Sequence, residues 1–259
     1  MVLVLGGRYL PHVVSSKLYG DRKKHGYTVI PNDPDWQEWD SRMPEIFEKT
    51  QTGIVGTTVN SAGYKQALRH ISLDRKMIVE IGPGAMEHVK YWDGTPAKYI
   101  MIDRREAFLK QGAKKLDRLG IANEFILSED LGRHPVEIKN ESVDIVIAFY
   151  VLEHLLELDE ALKEVFRILK PGGMLIGAIP AEGGLAWGLG RFLTTRRWFK
   201  KNTNIDLDKI ICWEHPNFAD DVCNALDRAG FNSKIVSWPL NVPIADLSLI
   251  HSFHCEKPC

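Results

Sequence analysis

At 259 residues, the chain suits one core domain carrying extensions better than it suits two equal domains. Hydrophobic residues at 44% and charged residues at 26% are the balance of a globular protein with a substantial core, which excludes a disordered chain. Lys plus Arg at 33 nearly cancels Asp plus Glu at 34, so the net charge of -1 gives no electrostatic reason to expect a nucleic-acid partner.

Residues 1–4 are apolar, but Arg8 and the charged stretch 21–24 cut the run short of a signal peptide or a membrane span, leaving a cytoplasmic location as the default. Residues 1–75 lack a sustained period and form an N-terminal extension expected to pack on the core. Within it, Trp36, Trp39, Met43 and Ile46 recur at helical spacing over 36–49, and 61–71 does so less clearly. The cluster Pro31-Asn32-Asp33-Pro34-Asp35 marks a turn between them and what precedes.

From residue 76 the pattern changes to short apolar runs at 77–81, 98–102, 124–127, 143–149 and 174–180, separated by helical stretches, which is how a parallel sheet with crossover helices reads. Leu158, Leu162, Val165 and Leu169 share one face of a helix over 158–169, and Lys170-Pro171-Gly172-Gly173 is expected to stop it. Segment 181–212 breaks the alternation and reads as an inserted lid at the substrate side. Its Arg191, Arg196, Arg197, Lys200 and Lys201 would suit an anionic acceptor, though a basic run also serves as a solvated face. A helix over 217–229 and strands at 233–238 and 248–256 complete the 76–259 domain.

Chemistry concentrates at strand ends. Glu80-Ile81-Gly82-Pro83-Gly84 closes the first strand with small residues, as backbone that meets a ligand at a helix N-terminus requires, although such turns also serve packing alone. A dinucleotide fingerprint wants a third glycine where Glu87 stands, which disfavours an NAD-dependent oxidoreductase. Asp103 ends the next strand, where a carboxylate accepts hydrogen bonds from both hydroxyls of a ribose; a surface turn is the plain alternative. The cysteines, Cys212, Cys223, Cys255 and Cys259, have no CxxC pairing or accompanying His spacing, so no metal is expected.

These residues, with Ser142-Val143-Asp144-Ile145-Val146, Val151-Leu152-Glu153-His154 and Arg167-Ile168-Leu169-Lys170-Pro171-Gly172-Gly173 in order, resemble the class I S-adenosylmethionine (SAM)-dependent methyltransferases of the small-molecule, type 11-like group. The resemblance covers about 77–180. It implies a Rossmann-like doubly wound sheet of seven strands, the last two forming an antiparallel hairpin. It also implies that Glu80 or the loop Gly82, Pro83 and Gly84 meets the amino-acid end of SAM, that Asp103 with Arg104 beside it takes the ribose, and that Glu129 or Asp130 faces the adenine. Met86 replaces a glycine common in the family and is expected to narrow the pocket.

Phe149 and Tyr150 can bracket the adenine or the sulfonium, since aromatic faces attract cations; core packing explains them as well. Methyl transfer needs no covalent nucleophile, but a hydroxyl acceptor needs a base, and His154 and His215 are the candidate imidazoles. His215 can equally be a surface residue before a helix capped by Asn217. The expected function is methyl transfer from SAM to a small-molecule acceptor, oxygen before nitrogen or carbon, without a nucleic-acid or membrane partner. A non-catalytic SAM-binding protein and an RNA or protein methyltransferase are the other readings.

Overall fold

The computed structural model describes residues 5–51, 54–129, 131–242 and 244–259, with side chains outside 44–56. In chain order the helices α1 (His12–Tyr19), α2 (Arg22–His25), α3 (Pro34–Gln51) and α4 (Ile54–Leu68) precede the first strand, β1 (Met77–Ile81). There follow β2 (Lys98–Asp103), α5 (Glu106–Arg118), β3 (Asn123–Leu127), β4 (Val143–Phe149), α6 (Leu158–Ile168) and β5 (Leu169–Pro180). Helices α7 (Leu185–Leu193), α8 (Thr195–Asn202), α9 (Leu207–Glu214) and α10 (Ala219–Arg228) lead to β6 (Asn232–Trp238) and β7 (Ile250–Glu256).

The seven strands form one sheet in the order β3-β2-β1-β4-β5-β7-β6. β1 pairs parallel with β2 (Glu80 opposite Met101) and with β4 (Val79 opposite Val146), while β7 lies antiparallel between β5 and β6. The period of two sorts β1 to opposite faces. Val79 and Ile81 join Leu162, Val165 and Leu226 in one core cluster, whereas Ile78 joins Tyr99, Met101, Leu109 and Leu68 in the other. Helices therefore cover both faces, as a parallel sheet requires, and the doubly wound α/β architecture with its antiparallel C-terminal pair is the one expected.

α6 buries Leu158, Ala161, Leu162, Val165 and Ile168 as a single stripe, and Asp159 and Glu160 in its first turn complement the helix dipole. Three local expectations fail. The helix ends at Ile168, just before Lys170-Pro171-Gly172-Gly173, but that segment is not outside the strand; it lies inside β5, where Leu169 already pairs with Val143 and the register shifts before Met174 meets Ile145. Gly172, at φ +72°, absorbs that irregularity, and its N–H donates to the Lys257 carbonyl.

The second failure is Asn217, which does not cap α10. Phe218 occupies that position, with its N–H bonded by Asp221, because the Asn217 amide is drawn to carbonyls across the site. The third is the glycine loop of β1, which opens into a five-residue 3-10 helix, Glu87–Tyr91, and no α-helix follows it before β2. Gly94 and Pro96 crowd the remaining crossover, leaving no helix-length run.

The N-terminal helices and the 181–212 segment build one cap. Trp36, Phe199, Ile205, Ile210, Cys212 and Trp213 form its core, with the Trp36 and Trp213 rings 6.2 Å apart edge to face. Leu5, Leu18, Tyr19, Phe218 and Ala245 form a second small cluster where α1 meets the sheet end. Among the described residues no helix is long and apolar enough to cross a membrane.

Candidate functional site

The carboxyl ends of β1, β2, β4 and β5 meet at one edge, where open α/β sheets place ligands. At the end of β1, Gly82 takes φ +64°, and a Cβ there would lie 2.8 Å from Val151 Cγ2, so only glycine lets the loop settle against the segment following β4. Gly84, at φ +49°, has nothing within 4 Å of where a Cβ would point: the top of the loop faces open space. Pro83 between them is buried, and its carbonyl accepts the Met86 N–H at 2.9 Å.

Met86 adopts the left-handed conformation, φ 51°, that glycine would favour, and it is almost fully buried. Its sulfur lies where a Cβ on Gly112 of α5 would approach to 3.1 Å, so the side chain fills core and does not narrow the ligand edge. That corrects the expectation from the sequence. Lys115, also on α5, donates to the carbonyls of Ala85 and Met86 and fixes the loop from below.

Glu80 is 1% exposed. Tyr99 donates to its Oε2 at 2.7 Å and His88 Nε2 lies 2.9 Å from Oε1, so the carboxyl group sits beneath the loop and leaves the loop backbone at the ligand edge. Burial raises Glu80 to about 8, opposed by the Tyr99 bond, and burial lowers His88 to about 3. Both shifts disfavour charge, and the direction for each member of the pair is towards its neutral form.

Asp103 ends β2, half-buried, accepting the Arg105 N–H at 2.8 Å on Oδ1. Burial raises its pKa against the pull of Arg105 and Arg104. Arg104 reaches Glu214 at 3.4 Å, and Arg105 reaches Asp40 at 2.8 Å, tying the cap to the cofactor edge. Glu129 is exposed just past β3, beside Asp103 through the Ser128 N–H bond to the Asp103 carbonyl. Asp130, the alternative to Glu129, lies outside the described residues.

Phe149 and Tyr150 end β4 but turn toward α4. The Tyr64 ring meets Phe149 at 4.8 Å and Tyr150 at 5.6 Å, while the Tyr150 hydroxyl donates to the Asn60 carbonyl. Core packing accounts for Phe149, which is buried.

His154 and His215, sixty residues apart in the chain, come together with ring centroids 4.6 Å apart. Three features hold them. The Asn217 amide donates to the Leu152 and Leu155 carbonyls at 3.3 and 2.6 Å. Arg22 of α2 donates to the His215 and Pro216 carbonyls. Each imidazole also has its own carboxylate: Glu214 Oε2 lies 3.2 Å from His154 Nδ1, and Glu182 Oε2 lies 3.2 Å from His215 Nδ1.

Glu182 is fully buried and gripped by the Arg191 guanidinium; Trp187 donates to it as well. Burial opposes its ionisation, but Arg191 and His215 hold it well below the usual carboxylate range, and His154 does the same for Glu214. Burial and the neighbouring His154 lower His215 to about 4, so it is neutral, whereas Glu214 and Glu153 raise His154 despite burial. Burial lifts Glu153 to about 7.

Arg191 is thereby removed from the set expected to attract an anionic acceptor, because a buried carboxylate consumes its charge. Arg196 pairs with Asp208. Arg197, Lys200 and Lys201 remain exposed. The sequence reading missed Glu182, Glu214, His88 and Tyr64. The charged neighbours of His215, and a Glu just past a strand's carboxyl end, were the available signals for the first two.

Residues 79–177 match the family model described as a methyltransferase domain. Among curated proteins, the ubiquinone/menaquinone biosynthesis C-methyltransferase UbiE of Pasteurella multocida is 29% identical over 83 residues, 32% of this chain and 31% of that protein. The UbiE of Escherichia coli O1:K1 is 27% identical over 85 residues, 32% of this chain and 33% of that protein. The chain thus spans about a third of the length of the curated relatives it matches. A Thermotoga maritima structure described as a SAM-dependent methyltransferase, possible histamine N-methyltransferase, superposes with a TM-score of 0.55 at 20% identity, covering 86% of this chain and 99% of that one. The CurJ carbon methyltransferase superposes with a TM-score of 0.54 at 17% identity, covering 83% and 58%. These likenesses show the class I methyltransferase fold.

Proposed function

We propose that this chain, which carries a class I methyltransferase domain, transfers a methyl group from SAM to a small-molecule acceptor, with a hydroxyl oxygen as the acceptor atom. The observation that carries the reading is the gathering, on one sheet edge, of the Gly82–Gly84 loop, the Asp103 carboxylate and the His154–His215 pair.

The residues suit the cofactor. Open space beyond Gly84 admits close backbone approach, and Asp103 offers a carboxylate to the ribose hydroxyls. Arg104, Glu129 and the loop residues Gly82, Pro83 and Gly84 flank them. The loop leads into a short 3-10 helix and lacks the α-helix N-terminus that would hold a pyrophosphate, which favours SAM over a dinucleotide.

When bound, SAM supplies an already activated methyl group, so the protein's task is to position the acceptor, exclude water and accept one proton. Glu182 lies 3.2 Å from Nδ1 of neutral His215 and favours the tautomer protonated there, so that Nε2 can take a proton from a hydroxyl, while Glu214 lies 3.2 Å from Nδ1 of His154 beside it. The cap of α1–α3 and α7–α9 supplies the walls, and exposed Arg197, Lys200 and Lys201 favour an acceptor that carries an anionic group. Equilibrium dialysis with methyl-labelled SAM tests the reading. S-adenosylhomocysteine is expected to displace the label and NAD to leave it bound; displacement by NAD alone would restore the oxidoreductase reading.

A further inference from the structure

We propose that Glu153, His154 and His215 form a binding site for a divalent first-row transition-metal cation of the zinc type. One ligand atom from each of the three lies within 4.8 Å of the other two. The histidine Nδ1 atoms face Glu214 and Glu182 at 3.2 Å, and Nε2 of His154 lies on the Glu153 side, 3.8 Å from its Oε1. Histidine ligands of a metal characteristically have their second ring nitrogen held by a carboxylate in this way, and here both do. The Nδ1 contacts are close but not aligned as hydrogen bonds, so the rings are steered by charge and keep freedom to adjust.

The independent observation is Glu153 itself. It is 2% exposed, its Oε2 has no hydrogen-bond partner, and its Oε1 lies 3.8 Å from His154 Nε2, beyond hydrogen-bond reach. Glu182 is neutralised by Arg191 and Glu214 is approached by Arg104, whereas among the described residues no Lys or Arg lies at ion-pair distance from Glu153. A buried carboxylate whose nearest cationic group is an imidazole 3.8 Å away is costly to ionise, and a bound metal ion would supply a closer and larger charge.

Two imidazoles and one carboxylate select zinc, cobalt, nickel, iron or manganese over magnesium and calcium, which prefer oxygen ligands throughout. Tetrahedral ligation at about 2.1 Å from the ion sets ligand atoms about 3.4 Å apart, so the three groups must draw in by roughly 1 Å, within the range of side-chain rotation. His154 and His215 keep 33% and 21% of their side-chain surface, which gives the ion an entry path and leaves coordination positions open. Resting on the methyl-transfer reading for its role only, the cation would occupy Nε2 of His215 and so replace that imidazole as the means of activating the acceptor, by lowering the pKa of a hydroxyl placed at an open position. Cation binding itself is independent of that reading.

The test uses the chelator-stripped full chain in a Cys259→Ser background, since Cys259 is the exposed thiol among the described cysteines. Titration with Co²⁺, followed by its visible absorption and by calorimetry, is expected to show one ion per chain. Glu153→Gln and His215→Gln are expected to weaken binding at least tenfold while SAM binding stays as in wild type. Because a variant can fail to fold, X-ray absorption of zinc-loaded wild type provides the second readout, with two imidazoles and no sulfur expected. Binding below one ion per chain, binding unchanged in both variants, or a coordination shell without imidazole would overturn the proposal. None of these outcomes would alter a SAM titration, so the site and the methyl-transfer reading fail separately.

Discussion

Glu80 keeps its proton at neutral pH because the sheet removes it from water, and the Tyr99 hydrogen bond, with the His88 ring packed 2.9 Å away, holds the group in place. The folded chain therefore binds a proton between the ordinary carboxyl value of 4.5 and about 8, where the unfolded chain has released it. By linkage, this group makes stability fall as pH rises through that window. Glu80→Gln preserves the Tyr99 bond and removes the titration, so urea unfolding on either side of the window should show a shallower fall than wild type; an equal fall would contradict the assignment. The glycines around Glu80 were legible in the sequence, since a tight turn after an apolar run calls for positive φ. The burial of Glu80 was not, because its partners Tyr99 and His88 reach it only once β2 and the 3-10 helix have packed.

At the scale of elements, the apolar runs located all seven strands: β1, β2, β4 and β5 are buried on both faces and need no alternation, whereas the edge strands β3 and β6 were read from short apolar stretches although much of their surface is exposed. Boundaries failed where tertiary partners decide them. Lys170 pairs with Asp144 at 2.7 Å and Gly172 with the Lys257 carbonyl, which draws 170–173 into β5, and Asn217 leaves its helix to bind the loop after β4. That second exchange bears on the proposed imidazole pair. Asn217→Ala removes the tie between the His154 and His215 loops and should cost about 1 kcal/mol of stability, since the part-buried Leu155 carbonyl loses its amide donor while the Leu152 carbonyl keeps the Leu155 N–H. Its turnover should fall while the Michaelis constant for SAM stays near the wild-type value, because the cofactor edge is untouched. A change in the SAM constant alone would show that Asn217 does not position the imidazoles.

Over the whole molecule, two segments that look irregular in isolation complete each other. Aromatic side chains of the N-terminal extension and of the segment after β5 meet across the chain: Trp36 with Trp213 and Trp39 with Phe199 are joined over more than 150 positions. No local periodicity can report such pairs. The same distance hid the cluster of Glu153, His154, Glu182, Glu214 and His215: metal or base motifs are recognised by short spacing, and these ligands converge from the ends of β4 and β5 and from α9. Arg104 and Arg105, which follow Asp103, pair with Glu214 and Asp40 of the cap. Calorimetric titration with SAM and S-adenosylhomocysteine therefore tests the central claim most directly. Wild type should bind one molecule of either per chain, and Asp103→Ala should bind at least tenfold more weakly. No binding by wild type, or identical binding by Asp103→Ala, would contradict it.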